Sequence, residues 1–93
     1  MSVEGGAVPV MPRGVRLHFD KVRGGWGLLA PERAIRLDAI GHAILSEIDG
    51  RRSLDEIAGA LAARYGAPVA DVAKDCGEFL ATLVGRRILD LAP

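Results

Sequence analysis

The chain has 93 residues, enough for one domain, and a domain of this size buries only about 60–65% of the surface its unfolded chain exposes. Twelve Lys and Arg balance twelve Asp and Glu, divided evenly on either side of Gly50, so no stretch reads as a basic patch and a nucleic-acid or anionic-membrane partner is disfavoured. The lone Cys76 excludes an internal disulfide and has no Cys or His at metal spacing, which excludes zinc and haem sites and suits a reducing cytosol.

Residues 1–12 mix Gly5, Gly6, Pro9 and Pro12 with small side chains and show no period, so they read as a disordered arm that leaves residues 13–93 as the domain. The arm has no basic start followed by an apolar run, and the chain lacks the stretch of about 18 apolar residues that a membrane span needs, so a cytoplasmic protein is expected. Val15 to Val22 alternates, with Val15, Leu17 and Phe19 on one face and Arg16, His18 and Asp20 on the other, which predicts a half-buried antiparallel strand. Arg23-Gly24-Gly25 supplies a tight reversal into a second β-prone run, Trp26 to Ala30. Pro31-Glu32 is the next turn, and Arg33 to Leu37 a short third strand.

Asp38 can accept from free helix amides, and Ile40, Ala43, Ile44 and Ile48 recur at helical spacing, giving a first helix that stops near Gly50. Ser53-Leu54-Asp55-Glu56 is a capping box that opens a second helix, with Leu54, Ile57, Ala58, Leu61 and Tyr65 as its buried stripe and Gly66 at its end. A third helix runs from about Val69 to Arg86, burying Val72, Cys76, Phe79, Leu80 and Leu83, and Ile88 to Leu91 is a short extended tail. Three strands followed by a three-helix bundle make an α+β fold of winged helix-turn-helix type.

Candidate chemistry is sparse. Gly24-Gly25-Trp26-Gly27 joins strands and does not open onto a helix, so it reads as a hairpin and not as a phosphate loop, and Trp26 as a sheet residue. His18 and His42 lie in different elements with no Ser or Cys partner, Cys76 sits on an apolar stripe, and Asp55, Glu56 and Asp71 occupy first helical turns where negative charge favours the dipole. No constellation makes an active site, so the chain reads as a non-enzymatic binding module.

A winged helix would ordinarily put its last helix into DNA, and a DNA-binding transcriptional regulator is the rival reading. The first ten residues of the third helix carry Asp71, Asp75 and Glu78 against Lys74, the wrong sign for phosphate, and the chain has no Asn or Gln to read adenine. A short exposed strand, Arg33 to Leu37, beside that acidic helix points instead to capture of an extended peptide by strand addition.

The ordered set Leu28-Leu29-Ala30-Pro31-Glu32-Arg33, Leu37, Ile44-Leu45, Asp49-Gly50, Ser53-Leu54-Asp55-Glu56-Ile57, Asp71-Val72, Phe79-Leu80 and Arg87-Ile88-Leu89 resembles the pyrroloquinoline quinone biosynthesis protein D family over about residues 13 to 91. The resemblance implies a peptide chaperone, a recognition element for ribosomally made and modified peptides. Such a protein binds the precursor whose Glu and Tyr become the quinone and presents it to a radical S-adenosylmethionine enzyme that would own any iron-sulfur cluster. It implies that the precursor adds to the third strand beside the third helix. By position that cleft is Arg33, Ala34, Ile35, Arg36 and Leu37 with Lys74, Asp75, Glu78 and Phe79. No cofactor of its own is implied. Two departures, Asp38 where Asn is common and Gly41 where a bulkier residue is usual, lie off the strand edge. On this reading Arg33 and Arg36 hold acidic peptide residues, and proline at Ile35 weakens binding by deleting a main-chain donor if that amide faces the peptide. The unpaired edge permits a monomer or a domain-swapped dimer.

Overall fold

The computed structural model describes residues 2–93 and orders them as β1 (Pro9–Val10), β2 (Arg16–Asp20), β3 (Gly25–Ala30), β4 (Arg33–Arg36), α1 (Ala39–Ser46), α2 (Leu54–Tyr65), α3 (Val69–Gly85) and β5 (Asp90–Leu91). The sheet runs β2-β3-β4, antiparallel throughout, and the three helices follow it, which is the winged helix-turn-helix-like α+β arrangement that the sequence predicts. Leu17 lies opposite Leu28 and Leu28 opposite Ile35, so these three share the face turned to the helices, and Leu28 is fully buried there. Side chains alternate along a strand, so Arg16, His18, Leu29, Ala34, Arg36 and the glycines Gly25 and Gly27 take the outer face.

β2 is shorter than the run from Val15 to Val22 because the Asp20 carboxylate accepts from the amides of Val22 and Arg23 and turns the chain out of the ladder. Those amides, Arg23's above all, hold the Asp20 carboxyl below the ordinary carboxylate range. The turn's contribution is therefore complete above that ordinary range and is lost as pH falls through the lowered value. β4 ends at Arg36, one residue earlier than expected, although the Leu37 amide still donates to the Trp26 carbonyl at 3.0 Å.

Asp38 caps α1 as expected, its Oδ1 accepting from the Gly41 amide at 2.7 Å. The helix stops at Ser46, short of Gly50, where the Ser46 hydroxyl donates to the His42 carbonyl and Asp49 accepts from the amides of Arg51 and Arg52. The capping box of α2 is present in both directions, Ser53 with Glu56, and Gly66 ends that helix in the left-handed region at φ 64°. Tyr65, expected in the buried stripe, is 63% exposed, because the last residue of α2 extends past the core. The core gathers Ile44, Leu45, Leu54, Ile57, Leu80 and Leu83 under Leu28, and the tail residues Ile88 and Leu89 close it.

α3 ends at Gly85 in a Schellman turn. The Ile88 amide donates to Leu83 and the Arg87 amide to Val84, both at 2.9 Å, with Arg87 at φ 59° in the position where glycine is usual. A side chain in the left-handed region costs about 1 kcal/mol that glycine avoids. Arg87→Gly is therefore expected to raise stability by about that amount in a urea melt, since the Arg87 side chain is exposed and makes no ion pair among the described residues.

The terminal arm differs most from expectation. Residue 1 lies outside the described residues, but residues 2–12, read as disordered, are seated on the helices. The Val3 amide donates to the Gly77 carbonyl of α3, and the carbonyls of Ala7 and Gly5 accept from Leu54 and Asp55, the first two amides of α2. β1 then pairs antiparallel with β5, Pro9 opposite Leu91. Two glycines permit this approach: a Cβ at Gly77 would collide with the Ser2 hydroxyl and come within 3.2 Å of the Val3 carbonyl, and one at Gly5 would overlap the Asp55 carboxylate. The arm is held through main-chain groups that leave no side-chain period to read.

Candidate functional site

β4 is an edge strand, and its pairing with β3 decides which of its main-chain groups are free. The bond from Leu37 to Trp26 belongs to a hydrogen-bonded pair, and such pairs recur every second residue, so Arg33 and Ile35 also turn their N–H and C=O groups toward β3. Ala34 and Arg36 turn theirs outward, to an edge that no strand of the described chain covers. The condition set for proline at Ile35 is therefore not met: the Ile35 amide faces β3, and the donor offered to an incoming strand at the middle of the edge is that of Ala34. Side-chain alternation also separates the two arginines, Arg36 lying on the outer face and Arg33 on the face of Ile35.

Of the residues expected in the cleft, Leu37 and Phe79 both approach Gly41. A Cβ placed at Gly41 would lie 3.2 Å from the Phe79 ring and 3.5 Å from Leu37, so the missing side chain at Gly41 is what lets Phe79 pack against the start of α1. Gly41 therefore shapes the cleft, although sequence reading placed it apart. Lys74 and Glu78 are exposed on α3 and form no ion pair among the described residues. Asp75 borders an apolar groove, a cavity of about 340 Å³ among the three helices that Ile40, Ala43, Tyr65, Val72 and Cys76 also line. Ile40 is 69% exposed at its rim. The groove went unseen in the sequence because Ile40 and Tyr65 carry the helical spacing of core residues. Cys76 sits in its wall, 1% exposed, and burial, with the Asp75 charge adding, pushes its thiol up, which keeps it inert.

On the helix side of the sheet, Trp26 stacks on the His42 ring at 4.3 Å and meets Phe19 edge-on at 5.4 Å. Three residues from three elements thus join the sheet's end to α1, an association with no spacing signal. The charge reading also needs correction. Residues 13–37 hold six Lys and Arg against Asp20 and Glu32, whereas residues 38–93 hold six against nine Asp and Glu. Division at Gly50 concealed this because it cut through the acidic helical part. Folding gathers the basic stretch into one sheet.

Comparison with known proteins agrees with this geometry. The family model described as "Coenzyme PQQ synthesis protein D (PqqD)" matches residues 25–89. A protein of Rhizobium meliloti (strain 1021) named "PqqA binding protein" is 46% identical over 89 residues, 96% of this chain and 91% of that protein. A "Bifunctional coenzyme PQQ synthesis protein C/D" of Methylorubrum extorquens is 44% identical over 96% of this chain, which corresponds to 24% of the longer protein. The solution structure of the PqqD truncation of Methylobacterium extorquens PqqCD, described as a functional and stand-alone recognition element for ribosomally synthesised and modified peptides, superposes with a TM-score of 0.82 at 44% identity, covering 94% of this chain and 93% of that one. The crystal structure of PqqD from Xanthomonas campestris gives 0.61 at 37% identity, covering 96% and 99%. With the family model matching residues 25–89 and a relative 46% identical over 91% of its own length, the chain belongs to the PqqD family.

Proposed function

We propose that this chain is a non-catalytic peptide chaperone of pyrroloquinoline quinone synthesis. It binds a PqqA-like precursor by strand addition at β4 and presents it to a radical S-adenosylmethionine enzyme of the PqqE kind in the cytoplasm. The observation that carries the reading is the uncovered edge of β4, whose Ala34 and Arg36 main-chain groups no strand of the described chain takes up. The names of the relatives, which bind PqqA, support the choice of peptide. In this arrangement Ala34 and Arg36 exchange main-chain hydrogen bonds with the peptide, and apolar peptide residues enter the space bordered by Leu37, Phe79 and Asp75. Arg33, Ile35, Lys74 and Glu78 flank the track. A disordered precursor gives up conformational entropy on binding, so affinity is moderate and release to the enzyme is possible.

Titration of isotopically labelled protein with the precursor tests the reading. Amide shifts should concentrate at Ala34, Arg36, Leu37 and the facing turns of α3. Shifts spread evenly over the chain, or absent from β4, would dispose of strand addition.

A further inference from the structure

The outer face of the sheet carries a second feature. Gly25 and Gly27 are the outward positions of the central strand, so the floor there is bare backbone between the side chains of β2 and β4. Glycine inside a strand forgoes packing, and such positions often mark close approach of a ligand. The result is a cavity of about 140 Å³, walled by His18, Arg23 and Arg36. A Cβ at Gly25 would lie 3.7 Å from Nη2 of Arg36, which places that guanidinium at the mouth. Neither Arg23 nor Arg36 forms an ion pair among the described residues, where both ion pairs belong to Arg52. Asp20 also lines the cavity, but one of its oxygens is already engaged by the loop amides. Arg16 extends the same face.

We propose that this glycine-floored face binds carboxylates, and that its occupant is an acidic patch on a second protein that docks on the sheet. Two unpaired guanidiniums beside a bare floor fit a carboxylate, which guanidinium forks recognise in two-point geometry. The surplus of basic residues on this sheet supplies the charge complementarity. A peptide added to β4 lies in the plane of the sheet, one strand away from the Gly25 and Gly27 floor, so the cavity is reached from above by a protein surface. Edge and face can then be occupied together. The hand-over role of the docked protein rests on the chaperone reading above, whereas the carboxylate site does not.

Hexaglutamate serves as the probe for the site. It should shift the amides of His18, Gly25 and Gly27 saturably, and about 0.5 M salt should remove the effect. Gly25→Leu, which fills the cavity without a backbone clash, and Arg23→Glu should each weaken the response at least about tenfold, the scale of one charge-assisted hydrogen bond. Both variants should keep native amide dispersion and unchanged precursor binding. An equal response to hexalysine, indifference to both substitutions, or tighter binding of a DNA duplex to this face would overturn the proposal. In a final arm, the radical S-adenosylmethionine enzyme should be retained by peptide-loaded wild type and lost with Arg23→Glu; equal retention would refute docking. Failure of the precursor to bind wild type, with hexaglutamate still mapping to Gly25 and Gly27, would sink the strand-addition reading alone.

Discussion

Proline at position 34 is expected to weaken precursor binding at least about tenfold while leaving the domain folded, and proline at position 35 to do the reverse. The two residues are adjacent, but the ladder assigns their amides to opposite sides. Ala34 points its N–H to the free edge, so Ala34→Pro deletes a donor to the added strand and places a ring where that strand must lie, at a position where edge strands tolerate proline. Ile35 pairs with Leu28, the fully buried centre of the sheet, so Ile35→Pro strands the Leu28 carbonyl and costs at least about 2 kcal/mol of stability. Calorimetric titration with the precursor and urea melts of both variants distinguish these effects. Equal affinity of Ala34→Pro and wild type would show that the peptide does not use this edge.

Deletion of residues 2–11 should lower stability by about 3 kcal/mol, combining the buried Val3 and Pro9 side chains with main-chain bonds worth about 0.5–1.5 kcal/mol each. For a domain of this size that corresponds to a fall in Tm of about 12–24 °C. The effect is large because the arm does the work of a helix cap. Ser53 satisfies only the third amide of α2, and the first two depend on carbonyls contributed by Ala7 and Gly5. A thermal melt of the truncated chain checks this, and a Tm within a few degrees of wild type would show the arm to be dispensable.

Much of the fold was legible because local chemistry and tertiary demand coincide. The alternation at Leu17 and Phe19, the capping box at Ser53 and Glu56, and the left-handed glycine at Gly66 each specify a conformation within a few residues. The arm was not legible, since most of its anchors are main-chain groups, which every residue possesses. The apolar groove was hidden for a related reason: Ile40 and Tyr65 have core-like spacing, and only the positions of the helix ends decide that they line a cavity. The β4 edge itself was foreseen, but not which amides it offers, because that parity depends on the register with β3.

The stacking of Trp26 on His42 has an optical consequence. Trp26 is the sole tryptophan of the chain, and its carbonyl receives the Leu37 amide just past the end of β4. Its indole is 38% exposed and held face to face with an imidazole, so its emission reports on the junction between sheet and α1 without interference from another fluorophore of its kind. The molecule thus carries an intrinsic gauge, placed one strand inward from the edge, through which loading can be followed in the unlabelled protein at stopped-flow speed.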